Sequence, residues 1–254
     1  MGAHHVPENR GPGQIAFPAR LSLGKEITLE GDLFAALCSR QPYRGEIITI
    51  KDAAGKAFRG RIVELKADQA RVFIFEQMRE PLEPPFDLFL FQALPEKERM
   101  ELIIQKATEL GVSCICPFKS RHSISLDERE AQQPKAHRWQ QIALKAAKQS
   151  RRASLPLVAP YCSFAQALDL ARPLELRIML WEKERTSLAR LLGNMPAPKG
   201  IALMVGPEGG WAEEEVQQAR AAGFTPAGLG GRILRTETAA IAACAIIQYE
   251  WGGI

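Results

Sequence analysis

No run of about 18 apolar residues occurs in this 254-residue chain, which excludes a membrane-spanning helix. Histidine is scarce: there are four, none at metal-ligand spacing and none in an H-E-x-x-H pattern. The five cysteines, Cys38, Cys114, Cys116, Cys162 and Cys244, are odd in number and form no C-x-x-C pair. Reduced thiols are therefore expected rather than a zinc site or a disulfide framework. Cys114 and Cys116 have the period of a strand, so both should face one side and behave as small apolar residues. The P-loop pattern is missing, as is a G-x-G-x-x-G after the first strand of the α/β region; Gly228-Leu229-Gly230-Gly231 is only a G-x-G-G. No G-x-S-x-G elbow occurs, which removes the common serine-hydrolase signature. Residues 1–13 hold no apolar signal-peptide core and read as a frayed leader of a cytoplasmic protein.

The composition, 46% hydrophobic and 24% charged, is that of an ordinary globular protein with enough chain for a sizeable core. A net charge of +4 is compatible with an RNA or phosphate partner without requiring one. Short β-branched runs between Ile15 and Phe75 predict a small antiparallel barrel, with a short helix over Gly31 to Ser39 on its side. Arg40, Arg44, Lys51, Lys56, Arg59 and Arg61 make either a solvated barrel surface or a phosphate-contacting face. Pro81, Pro84 and Pro85 then stiffen the chain and mark a boundary, separating a domain over 1–80 from one over 86–254.

Beyond the prolines, strands alternate with helices, which predicts a mainly parallel sheet covered on both faces. Asp87 to Ala93 reads as a strand, Glu96 to Leu110 as a helix ending at Gly111, and Ser113 to Phe118 as a strand. Trp139 to Ser150 is a helix followed by Arg151 and Arg152, which suit a helix C-terminus. Further elements are a helix (Phe164 to Leu170), a strand (Arg177 to Trp181), a helix (Ser187 to Leu192) and the strand Ile201 to Val205. The helix after Trp211 starts on Ala212, a poor cap worth about 1 kcal/mol less than serine or threonine. Glu213, Glu214 and Glu215 in its first turn offset part of that. The final helix, Thr236 to about Glu250, is apolar all round, so a second subunit on its far side is the simplest expectation, with full burial inside a monomer the competing one.

Two stretches concentrate glycine and charge. Val205-Gly206-Pro207-Glu208-Gly209-Gly210-Trp211 follows an apolar strand, and Leu229 to Ala239 leads into the final helix. Both fall at the C-terminal ends of late strands, the edge where open α/β sheets bind ligands.

Gly206-Pro207-Glu208-Gly209-Gly210-Trp211 with Glu214 and Glu215, followed by Leu229-Gly230 and Arg232-Ile233-Leu234-Arg235-Thr236-Glu237-Thr238-Ala239, resembles the RsmE family of SPOUT-class methyltransferases. Gln105-Lys106-Ala107-Thr108-Glu109-Leu110-Gly111-Val112 and the Trp139 to Arg152 segment match as well. The resemblance implies an α/β fold: a SPOUT-type parallel sheet with a C-terminal trefoil knot, and a small N-terminal PUA-like β-barrel that binds RNA. It implies S-adenosylmethionine-dependent methylation of uridine N3 in small-subunit (16S) ribosomal RNA, by a homodimer, with no metal and no membrane. The other readings are a SPOUT enzyme acting on another RNA, such as tRNA, and a non-catalytic RNA-binding protein.

The resemblance also implies that three loops grip the cofactor. They are Leu180, Trp181 and Glu182; Val205, Gly206, Pro207, Glu208 and Gly209; and Leu229, Gly230, Ile233, Leu234, Thr236 and Thr238. Leu229, Ile233 and Leu234 are expected to wall the adenine. Glu208 is read as a base, as a cofactor-orienting group, or as a carboxylate capping the following turn. Arg235 is read as stabilising a developing uracil anion, or as the ion-pair partner of Glu237 or of an acid on a partner chain. Arg151, Arg152 and Arg232 are the expected RNA contacts.

Overall fold

The computed structural model describes residues 15–79, 83–95, 97–123, 138–193, 195–252 and 254. The expected leader over 1–13, Pro81, and Glu96 at the start of a predicted helix lie outside them.

Period-two alternation builds the first sheet. It comprises β1 (Ile15–Ala16), β2 (Glu26–Glu30), β3 (Ile47–Lys51), β4 (Ala57–Leu65) and β5 (Gln69–Gln77), with helix α1 (Gly31–Cys38) after β2. Along β5, Ala70, Val72 and Ile74 point inward while Arg71, Phe73 and Phe75 point out. The strand order is β1-β3-β4-β5-β2, antiparallel except for β1 on β3. Leu29, Ile48, Ile50, Phe58, Ile62, Val72 and Ile74 form its core, to which α1 adds Leu37.

The second sheet follows the prolines. Its elements are β6 (Asp87–Ala93), α2 (Lys97–Glu109), β7 (Cys114–Lys119), α3 (Trp139–Gln149), β8 (Leu157–Val158), β9 (Cys162–Ser163) and α4 (Phe164–Ala171). Then come β10 (Leu176–Leu180), α5 (Leu188–Leu192), β11 (Gly200–Val205), α6 (Glu213–Ala221), β12 (Thr225–Ala227) and α7 (Thr236–Glu250). The order is β12-β10-β11-β6-β7-β8, with β9 also on β7, and every pairing is parallel. The near-continuous apolar strands are explained by burial on both faces. Leu88, Leu90, Ile201, Leu203 and Val205 meet α2, α3, α5 and α7 on one side; Phe89, Phe91, Ala202 and Met204 meet α4 and α6 on the other.

Three short strands, β8, β9 and β12, were not expected. β12 is Thr-Pro-Ala, and its proline is tolerated because the strand lies at the sheet edge. All five cysteines are free, with the Cys114 and Cys116 sulfurs 3.6 Å apart in the core. Its hydrogen bond with Cys114, then burial, raises the Cys116 pKa well above its ordinary value. Burial pushes the Cys244 thiol up to about 12, so it packs as a neutral apolar side chain.

Candidate active site

A parallel sheet brings the C-terminal ends of its strands to one edge. Here the loops leaving β6, β10, β11 and β12 converge there, around a cavity of about 260 Å³. Chain order reverses between β6 and β11, so the cavity sits at a topological switch point.

The Gly206–Trp211 turn forms its floor. Gly210 turns the chain at φ +70, and its N–H donates to the Pro207 carbonyl at 3.1 Å. Trp211 folds back under the turn, where a side chain at Gly206 would begin 2.9 Å from the indole ring. The indole N–H donates to the Leu180 carbonyl at 2.8 Å, and the ring stacks on Phe118 at 6.2 Å between centroids. One tryptophan thus fixes two of the converging loops. Glu215 holds a third connection: its carboxylate accepts from Ala212 N–H, Arg121 N–H and the Ser120 hydroxyl. The bond from Ala212 N–H is the reciprocal half of a capping box, the half that an alanine N-cap can still make.

The second stretch is joined to the first by Thr236, whose hydroxyl donates to the Gly206 carbonyl at 2.6 Å. Gln92, fully buried at the end of β6, donates to Thr236 Oγ1 at 3.1 Å and to the Ala93 carbonyl at 2.9 Å. Sequence reading passed over Gln92; its signal was one amide inside an apolar strand. Gly228 anchors the same stretch, donating to the Thr186 carbonyl and accepting from Leu188 N–H, both at 2.8 Å.

Leu180, Trp181 and Glu182 line the cavity with Val205, Gly206, Pro207 and Glu208. So do Leu229, Gly230, Arg232, Ile233, Leu234, Arg235 and Thr236. Gly209 and Thr238 do not; Gly209 packs against His122 instead. Arg99, at the start of α2, was also missed. It reaches over the cavity, 2.9 Å from Glu208 and 3.9 Å from Glu237, and so links both stretches. Glu237 therefore faces Arg99 rather than the suggested Arg235, which is exposed.

A family profile for an RNA methyltransferase domain matches residues 82–248. A Bacillus subtilis protein named ribosomal RNA small subunit methyltransferase E is 33% identical over 72% of this chain and 73% of its own length. A Mesomycoplasma hyopneumoniae protein of the same name is 33% identical over 71% of this chain and 77% of its own. The chain belongs to the ribosomal RNA small subunit methyltransferase E family. A Neisseria gonorrhoeae member, solved bound to S-adenosyl methionine, superposes with a TM-score of 0.64 at 35% identity, covering 94% of this chain and 98% of that one.

Two readings of basic residues are corrected within this methyltransferase E chain. Arg152 is buried and ion-paired to Glu83 at 2.6 Å, and it donates to the carbonyls of Thr108 and Val112. Its side chain closes the C-terminal end of α2, while its backbone N–H donates to the Ala147 carbonyl of its own helix, and the guanidinium is unavailable to RNA. Arg40 is likewise buried, donating to the Ala153 and Arg152 carbonyls, each at 2.9 Å. Arg151 remains exposed, and its carbonyl accepts from Thr49 Oγ1 at 3.4 Å. Among the described residues, no group of three or more His, Cys, Asp or Glu side chains is placed to hold a metal ion. No described helix is long and apolar enough to cross a membrane.

Proposed function

We propose that this chain transfers a methyl group from S-adenosylmethionine to N3 of a uridine in small-subunit ribosomal RNA, working as a homodimer in the cytoplasm. The observation that carries this reading is the cavity itself, built by the two family-matching stretches and tied together by Thr236, Gln92 and Arg99. Its chemistry fits the cofactor. Val205, Leu229 and Leu234 give apolar walls for a flat adenine, while Glu182, Glu208 and the arginines offer both signs of charge to a zwitterionic amino-acid end. When bound, the cofactor supplies a methyl group already activated by its sulfonium.

The protein's own task is alignment and proton removal. Holding the uracil edge against the methyl contributes several kcal/mol. As uridine N3 gains its carbon it gives up its proton, for which Glu208, the carboxylate of the floor loop, is the proposed acceptor. Arg235, at the rim, stabilises the charge that develops on the uracil oxygens. The proposal includes a trefoil knot in the 86–254 domain and a PUA-like RNA-binding barrel over 1–80; the separate core of the first sheet supports the latter. Half-exposed Ile241, Ala242, Ala245 and Ile246 on α7 support the dimer.

Calorimetry with S-adenosylmethionine tests the site, and mapping N3-methyluridine in ribosomal RNA from cells lacking the gene tests the substrate. Under saturating cofactor, Glu208→Gln and Arg235→Ala are each expected to slow single-turnover methylation about 100-fold. Near-normal rates in both would remove the assignment, and no cofactor binding would favour an RNA-binding protein without catalysis. Arg99→Ala leaves the carboxylates of Glu208 and Glu237 without their bridging cation. Its cofactor Kd is expected to rise about tenfold, an effect of about 1.4 kcal/mol, with Arg99→Lys recovering most of the loss. An unchanged Kd in the alanine variant would show that the bridge does not hold the loops.

A further inference from the structure

Ile233 is the most exposed large apolar side chain among the described residues, at 86%. That is at odds with a role as an adenine wall. A residue that walls a concave site has protein behind it, as the half-buried Leu229 and Leu234 do. Ile233 has almost none. The loop around it stands clear of the surface, with nothing within 4 Å of where side chains would begin at Gly230 and Gly231.

Its flanks are charged. Arg232 and Arg235 are both exposed at the cavity rim, and neither has an ion-pair partner among the described residues. Several other exposed arginines are compensated: Arg71 by Glu64, Arg121 by Glu214, Arg172 by Asp169, Arg220 by Glu184. An apolar tip between two uncompensated guanidinium groups matches a stacked polyanion better than a protein surface. A phosphate would take Arg232, and the tip would enter between bases.

The reaction requires such a device. N3 lies on the pairing edge of uracil, so the base must leave its stack before that edge can face the cavity. We propose that Ile233 is a wedge that fills the space left by the extruded uridine, while Arg232 holds a flanking phosphate and Arg235 stays with the extruded uracil. This rests on the methyltransferase reading above.

The test uses the full-length protein and small ribosomal subunits prepared from cells lacking it. Ile233→Ser is expected to slow single-turnover methylation at saturating RNA and cofactor by at least about tenfold. Ile233→Leu, which keeps the apolar bulk, should stay within about threefold of wild type. S-adenosylmethionine affinity and RNA affinity should change by less than about threefold in both, because the wedge acts after binding. Arg232→Ala should instead weaken RNA binding and flatten its salt dependence. A normal rate for Ile233→Ser overturns the wedge. A large loss of cofactor affinity returns Ile233 to the cofactor wall, and a change in its sedimentation relative to wild type assigns the tip to a second copy of the chain; either result also overturns it. If the wild-type protein leaves small-subunit RNA unmethylated while binding the cofactor, the substrate reading fails first, and the wedge fails with it.

Discussion

Glu83→Ala is expected to destabilise the protein by about 3–5 kcal/mol, the loss typical when one partner of a buried ion pair is removed. For a chain of this length that lowers the melting temperature by roughly 10 °C. The size follows from what would be left behind. The Glu83 carboxylate accepts from Arg152 at 2.6 Å and from the Ser154 N–H at 2.9 Å. Arg152 is almost fully buried, so without Glu83 its charge would face only the carbonyls of Thr108, Gly111 and Val112 and the Ser154 hydroxyl. Carbonyl dipoles stabilise a guanidinium but do not neutralise it. The damage would spread toward the first sheet, because Arg40 holds the Arg152 and Ala153 carbonyls from the other side. Burial lowers the Arg40 pKa, and Glu46 and Glu83 oppose that shift, so losing Glu83 also removes part of the compensation for Arg40. Glu83→Gln keeps an acceptor in place and should cost about 1–3 kcal/mol. Thermal unfolding of both variants checks this; a loss below about 1 kcal/mol in Glu83→Ala would be that of a solvent-screened surface pair.

This network also marks where sequence reading stopped. A pair of arginines after a helix is compatible with capping that helix, and composition cannot tell which helix end the side chain will reach. Arg152 in fact closes α2, more than 40 residues earlier in the chain. The QKATELGV match has its physical role here, since the carbonyls of Thr108, Gly111 and Val112 receive the guanidinium. The elements themselves were far more legible. The apolar runs of β6 and β11, the helical period of α2 and the length of α7 were set by local pattern, and boundaries moved by only a residue or two. β12 was hidden because proline argues against a strand unless its edge position is known.

The candidate site divides along the same line. Glycine-rich turns at strand ends are a local signal, and the loops they announce do meet at one cavity. Gln92, at the end of β6, and Arg99, at the start of α2, lie more than 100 residues before their partners, and only the sheet order brings them there. Ile233 lines that cavity, yet how far it stands out depends on how its loop leaves the surface, which no local pattern records.

Trp211→Ala is expected to cost about 3–5 kcal/mol of stability and, separately, to weaken S-adenosylmethionine binding by at least about tenfold. The stability loss comes from the indole's burial against Phe118 and Phe164, at 6.2 and 5.9 Å between ring centroids. The binding loss comes from its other edge. That edge supports Gly206, and the indole N–H takes the Leu180 carbonyl at 2.8 Å, so the same ring sets the spacing between the loops after β10 and β11. Trp211→Phe separates the two effects. Phenylalanine keeps most of the apolar area but cannot donate to Leu180, leaving that buried carbonyl short of a partner at a cost of about 1–3 kcal/mol. If the hydrogen bond positions the Leu180 loop, the phenylalanine variant should lose much of its cofactor affinity while keeping more stability than the alanine variant. If packing alone supports the cavity, affinity should follow stability across the three proteins. Calorimetry and thermal unfolding on the same samples distinguish these outcomes. A phenylalanine variant binding as tightly as wild type would show that the Trp211 hydrogen bond has no part in shaping the cavity.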